Sequence, residues 1–149
     1  MDTLYQLLKE YTKIYKMFLD LEYEKYEAVI KNDLIALDNI VSQEEVYNLQ
    51  IKGFDHRREK LLNSLGLGGK TLKEIIDAAD NDSKADLQEQ FEELNNTIQE
   101  LKKINGLLKT VIEVRLRRLN KKMSTFGENT YANEKSKKGT EGLLISQKI

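Results

Sequence analysis

The apolar positions of this chain fall on helical spacing almost from end to end, and the longest run is the most informative. Between Ser83 and Met123, the positions Leu87, Phe91, Leu94, Ile98, Leu101, Asn105, Leu108, Ile112, Arg115 and Leu119 step by alternating fours and threes, which places them on one seam of a single long helix. From Ile104 onward a second apolar row, Ile104, Leu107, Val111 and Val114, runs beside the first. The C-terminal half of this helix is therefore apolar over more than the roughly 100° face that packing on its own core requires. The surplus predicts a partner.

Earlier in the chain the same periodicity predicts three more helices. The first runs from about Thr3 to Lys31, with Leu4, Leu7 or Leu8, Tyr11, Ile14, Phe18 and Leu21 on its buried stripe and Tyr26 and Val29 closing it. Asn32-Asp33 is a break and a cap, and a second helix follows from Leu34 to about Leu65 on Leu37, Ile40 or Val41, Tyr47, Ile51, Phe54, Arg58, Leu61 and Leu65. Gly53 inside it costs about 1 kcal/mol relative to Ala and weakens the case for a straight rod. Gly66-Leu67-Gly68-Gly69 ends the helix. Thr71-Leu72-Lys73-Glu74 then has the spacing in which a Thr hydroxyl and a Glu carboxylate satisfy each other's backbone donors, so a short third helix runs from about Leu72 to Ala79. Asn81-Asp82 is expected to break the chain again, and Ser83 to cap the long fourth helix, which ends near Met123.

The fold expected is all-α: an antiparallel helical bundle or coiled coil with a long C-terminal helix, occupying residues 1–123. Residues 124–149 are polar, aperiodic and interrupted by Gly127 and Gly139, too poor in apolar surface to offset the entropy of ordering, and are expected to form a flexible tail. Tyr131, Leu143-Leu144-Ile145 and Ile149 are its candidate apolar anchors, or else incidental apolar residues of a polar tail.

Composition supports long helices and excludes several chemistries. The 149 residues contain no Pro, no Cys and no Trp, so no disulfide or thiolate metal site forms and no Pro interrupts a helix. The N-terminus lacks a basic region followed by an apolar stretch, and no window approaches a membrane span, so a cytoplasmic protein without stable membrane insertion is expected. Net charge is −1 but unevenly spread: residues 1–110 hold 15 Lys/Arg against 21 Asp/Glu, residues 111–149 hold 9 against 4. A basic end on an acidic body is either a solvated helix face or a surface for an acidic partner. Nucleic acid is not expected, because the positive charge lacks interleaved aromatics and the body repels phosphate.

Motifs that resemble chemistry fail on inspection. Gly69-Lys70-Thr71 lacks the phosphate loop's leading glycine, since Ser64 stands there, and follows a helix where a strand is needed. Asp80-Asn81-Asp82 begins like a calcium loop but has Ala85 and Phe91 where Gly and Glu are required. His56, between Asp55 and Arg57, is expected to be exposed, and Glu44-Glu45 and Glu92-Glu93 to lie on solvated faces. With no inward paired carboxylates expected, no metal, cofactor or catalytic site is predicted, and the protein is not expected to be an enzyme.

The order of landmarks carries a resemblance. Asp33-Leu34-Ile35-Ala36-Leu37 enters the second helix, and Arg57-Arg58-Glu59-Lys60-Leu61-Leu62-Asn63-Ser64-Leu65-Gly66 closes it. Asn105-Gly106-Leu107-Leu108 lies within the long helix, and the tail holds Tyr131 and Leu144-Ile145-Ser146-Gln147-Lys148-Ile149. In these landmarks the sequence resembles the FlgN family of flagellar type III secretion chaperones, which escort the hook-filament junction (hook-associated) proteins. The resemblance implies a helical chaperone whose C-terminal helix holds a helical segment of these clients, prevents their premature assembly and delivers them to the export gate. It implies a Tyr in the tail that docks on the gate's cytoplasmic domain, a role only Tyr131 fits, although the Gly expected soon after that Tyr comes late, at Gly139. The export ATPase complex is a further partner in this picture, and a weak homo-oligomer a form of the free protein.

The candidate client face is Ile104, Leu107, Leu108, Val111, Ile112, Val114, Arg115 and Leu119. Arg115, on the seam, either snorkels its charge outward or meets a polar group on the client. Two alternatives share the pattern: a structural coiled coil that covers the surplus face by homo-oligomerising, and an export chaperone for another flagellar client.

Overall fold

A computed structural model describes residues 2–125, and all the regular structure there is helical: α1 (Asp2–Lys31), α2 (Leu34–Ser64), α3 (Leu72–Asp77) and α4 (Asn81–Thr125). The expected tail from residue 126 on, with Tyr131, lies outside the described residues. Helix ends follow local chemistry. At the end of α1, Asn32 takes the left-handed conformation (φ 55°), the Asp33 N–H donates to Ala28 O at 2.9 Å and the Asn32 N–H to Val29 O at 3.2 Å, a Schellman closure. Asp33 then caps α2, its carboxylate accepting from the Ala36 N–H at 3.0 Å. Gly66 (φ 71°) closes α2 in the same way, with the Leu67 N–H donating to Leu62 O at 2.8 Å. Thr71 and Glu74 form the expected reciprocal cap of α3.

Two boundary expectations need correction. The long helix starts at Asn81, because the Asp80 carboxylate accepts from the Ser83 N–H at 3.2 Å and its carbonyl takes the first helical bond from the Lys84 N–H; Asp80, rather than Ser83, is the cap. Gly53 does not interrupt α2. A single glycine's cost of about 1 kcal/mol is small beside the packing of the rest of the helix.

Cross-helix pairs fix the topology. Lys25 meets Glu44 and Tyr11 donates to Asp55, so α2 runs antiparallel to α1. Lys16 meets Glu93 and Arg115 meets Asn32, so α4 runs parallel to α1. The helix α1 is the central element. It packs on both long partners, whereas the Cα traces of α2 and α4 nowhere come within 8 Å of each other. That position explains why α1 is buried over a wider arc than its predicted stripe, including Leu7 with Leu8, Thr12, Leu19, Glu22, Lys25 and Ala28.

The core has two parts. Near the start of α1, Leu4, Leu8 and Tyr11 pack with Ile75 and Ile76 of α3 and Leu87 and Leu94 of α4. Toward its end, Phe18, Val29, Leu37, Ile40, Leu101 and Ile104 belong to a second cluster that runs on to Leu108 and Ile112. Because Arg115 sits opposite Asn32, at the end of α1, the rest of α4 overhangs by about three turns, roughly 15 Å at 1.5 Å per residue.

Candidate helix-docking groove

The overhang of α4 meets the α1–α2 corner and leaves a groove of about 410 Å³. Its floor is apolar: Val29 of α1, Leu34 and Leu37 of α2, and Ile112, Leu116 and Leu119 of α4. The α4 contribution follows from spacing, since Ile112, Leu116 and Leu119 stand at i, i+4 and i+7 and share a face. Up to Ile112 that face is covered by α1 and α2. Beyond the end of α1 nothing among the described residues covers it, and Leu119 is 42% and Leu34 70% exposed.

The eight candidate face residues divide accordingly. Ile104, Leu108 and Ile112 are buried in the core cluster, so they hold α4 to the rest of the molecule, Ile112 alone also reaching the groove. Val111 is half-buried, and Leu107 and Val114 are exposed; these three lie roughly 80–160° round α4 from the buried stripe at 100° per residue. Leu119 is in the groove. Arg115 is committed inside the chain: its guanidinium donates to Ile30 O at 2.9 Å and to Asn32 Oδ1. Ile30 O is one of the carbonyls that the end of α1 leaves without a helical partner, so Arg115 completes that helix terminus from α4.

Reading the sequence missed Leu116 and the Leu34-Ile35 pair, both exposed on the first turn of α2. The signal for Leu116 was its i+4 spacing from Ile112. For Leu34 and Ile35 it was an apolar pair immediately after a cap, at positions that α1 cannot reach.

Charge is concentrated at the same end. From Val114 to Thr125 there are five cations, Arg115, Arg117, Arg118, Lys121 and Lys122, and no acid. They complement the negative end of the α4 dipole, and Arg118 and Lys122 also line the groove.

A second polar feature corrects the expectation about acidic pairs. Glu44 is 3% exposed rather than solvated and, with Glu22 and Lys25, forms a buried triad between α1 and α2. Lys25 Nζ lies 3.1 and 3.2 Å from the two Glu44 oxygens and 4.0 Å from Glu22 Oε2. Two carboxyls thus do face inward. Glu44 lies seven residues after Leu37 and four after Ile40, and Glu22 and Lys25 four and seven after Phe18, so all three occupy core register. Both Glu22 oxygens and Glu44 Oε1 lack a hydrogen-bond partner among the fixed donors. A proton on Glu22 supplies a hydrogen bond that Glu44 can accept. Burial first, then the hydrogen bond to Glu44, pushes the Glu22 carboxyl up to about 8, against the opposing pull of Lys25. No group of three or more metal-ligating side chains occurs among the described residues. His56 is exposed, as expected, and its neighbour Asp55 is engaged by Tyr11.

A long helix with an uncovered apolar end, on a helical body, is a form for holding another helix. A protein-family model described as FlgN protein matches residues 1–140. The chain belongs to the FlgN family. Neither a curated protein nor a solved structure matches it. As a FlgN-family member it is a flagellar export chaperone, acting in flagellar assembly and secretion by binding export substrates. No helix among the described residues is long and apolar enough to cross a membrane.

Proposed function

We propose that this chaperone works in the cytoplasm, holds a helical segment of the hook-filament junction proteins on the C-terminal part of α4, keeps them from assembling early and delivers them to the flagellar export gate. The observation that carries this reading is the uncovered seam: α2 and α4 each pack on α1 and not closely on each other, and the apolar stripe of α4 continues past the point where its own bundle covers it. A client helix laid there completes a helical bundle. Leu116, Leu119 and Leu34 supply the anchors, and Leu107, Val111 and Val114, roughly 100–160° round α4 from Ile112, form a separate apolar flank outside the groove.

The test is calorimetric titration of purified junction protein into the full chain, alongside Leu119→Asp, Val114→Asp and Leu94→Asp variants. Leu119 and Val114 are exposed whereas Leu94 is in the core, so Leu119→Asp in the groove should keep full helicity and lose client binding, because burying an unpaired carboxylate in the interface costs several kcal/mol, and Val114→Asp tests the opposite flank. Leu94→Asp should unfold the bundle. Normal binding by Val114→Asp would remove that flank from the interface. Absence of binding by the wild-type chain, together with a tight oligomer that persists on dilution, would support a structural coiled coil instead.

A further inference from the structure

We infer that the segment this groove receives is an acidic amphipathic helix, one whose apolar stripe is flanked by Asp or Glu on the side that meets Arg118 and Lys122. The inference rests on the chaperone reading above and specifies the chemistry of its client.

Floor and rim make different demands. The apolar floor, centred on Leu116 and Leu119, requires a partner with a contiguous apolar stripe. That excludes a bare phosphate backbone, which would gain nothing from it. The rim is cationic on the α4 side. Arg118 and Lys122 stand four residues apart, and among the described residues no acid forms an ion pair with either of them. Arg115, at the inner end, spends donors on Ile30 O and Asn32 Oδ1. Since a guanidinium has five N–H donors, it holds a fixed positive charge at the groove mouth while anchored. An uncharged helix leaves these cations unpaired and a basic one is repelled by them, whereas carboxylates on one flank pair with them.

The segment beyond α4 has no excess of acid in its composition. Residues 126–149 carry four Lys against three Glu. A second copy joined symmetrically through this groove would present the same basic α4 end.

The probes are three synthetic helical peptides of about twenty residues with identical Leu stripes and Glu, Gln or Lys on one flank, measured by fluorescence anisotropy against the full chain. The Glu peptide should bind at least about tenfold more tightly than the Gln peptide near 50 mM salt, and the difference should shrink severalfold near 500 mM as the charges are screened. The paired substitutions Arg118→Glu and Lys122→Glu should reverse the order, so that the Lys peptide binds best. That gain also shows the variant to be folded. The pair Lys109→Glu and Arg117→Glu makes the same change of net charge outside the groove and should leave the Glu preference in place. Equal affinity for the Glu and Gln peptides, or a preference lost equally in both double variants, overturns the inference. Purified junction protein is titrated in parallel. If it binds the wild type and the Arg118→Glu/Lys122→Glu variant alike, the chaperone reading stands and the acidic-helix inference fails; if it binds neither, the chaperone reading itself fails.

Discussion

Glu22 is the residue whose chemistry departs furthest from its sequence appearance. It sits in a mostly acidic run on α1, Asp20 to Glu27, yet it is 1% exposed and its carboxyl is raised from an ordinary 4.5 to about 8 by burial and by Glu44. At neutral pH the Glu22 carboxyl therefore stays largely protonated, which reduces the charge buried between α1 and α2. The native state keeps a proton that the unfolded chain releases, so the stability this group contributes is fully present below about 4.5 and is lost as pH rises through about 8, at up to about 1.4 kcal/mol per pH unit. Glu22→Gln, which keeps the shape and a donor for Glu44 but cannot ionise, should flatten that fall. In urea unfolding near pH 5 the variant should be no more stable than wild type, and near pH 9 it should be more stable by at least about 1 kcal/mol. Parallel stability profiles for the two proteins would mean that Glu22 is ionised throughout.

Helix ends and helix faces differ in how far sequence alone reveals them. Asp33, Gly66 and the Thr71–Glu74 pair were legible as boundaries because each acts on backbone groups within a few residues of itself. Asp80 was not, since Asp-Asn-Asp-Ser offers several capping side chains in succession and only the backbone bond from the Lys84 N–H selects one. The seam of α4 was legible from its period. The division of that seam into covered and uncovered parts was not, because it depends on where α1 stops, and Arg115 looked like a defect in the stripe although it completes the end of α1. This gives Arg115 and Arg118 opposite expectations despite their adjacency on one helix. Arg115→Ala should destabilise the free chain by about 1–2 kcal/mol in urea unfolding, with faster amide exchange at Ile30 to Asp33, whereas Arg118→Ala should change stability by less than about 0.5 kcal/mol. Equal, small effects would show that Arg115 is not holding the corner closed.

At the scale of the whole molecule, the groove lies at the end of the bundle from which α4 projects. The central α1 is held by α2 and α4 along its length, and the groove opens where it stops, at the α1–α2 corner. The chain then leaves α4 at Thr125, on the far side of that groove, and Tyr131 follows six residues later, within at most about 20 Å of chain. A Tyr can bury its ring in a shallow apolar pocket and donate its hydroxyl, which makes it an effective anchor in a transient interface. If Tyr131 docks on the cytoplasmic domain of the export gate, as resemblance to the family implies, capture by the gate and retention of the client use neighbouring but separate residues of one chain. Tyr131→Ala should therefore leave junction-protein affinity unchanged while weakening capture of the chaperone–client complex by the purified gate domain about tenfold, roughly 1.4 kcal/mol. The late position of Gly139 makes the spacing around Tyr131 the point at which this chain tests the resemblance most severely. Equal affinity of the gate domain for wild-type and Tyr131→Ala complexes would leave that docking role to some other residue, with the client groove unaffected.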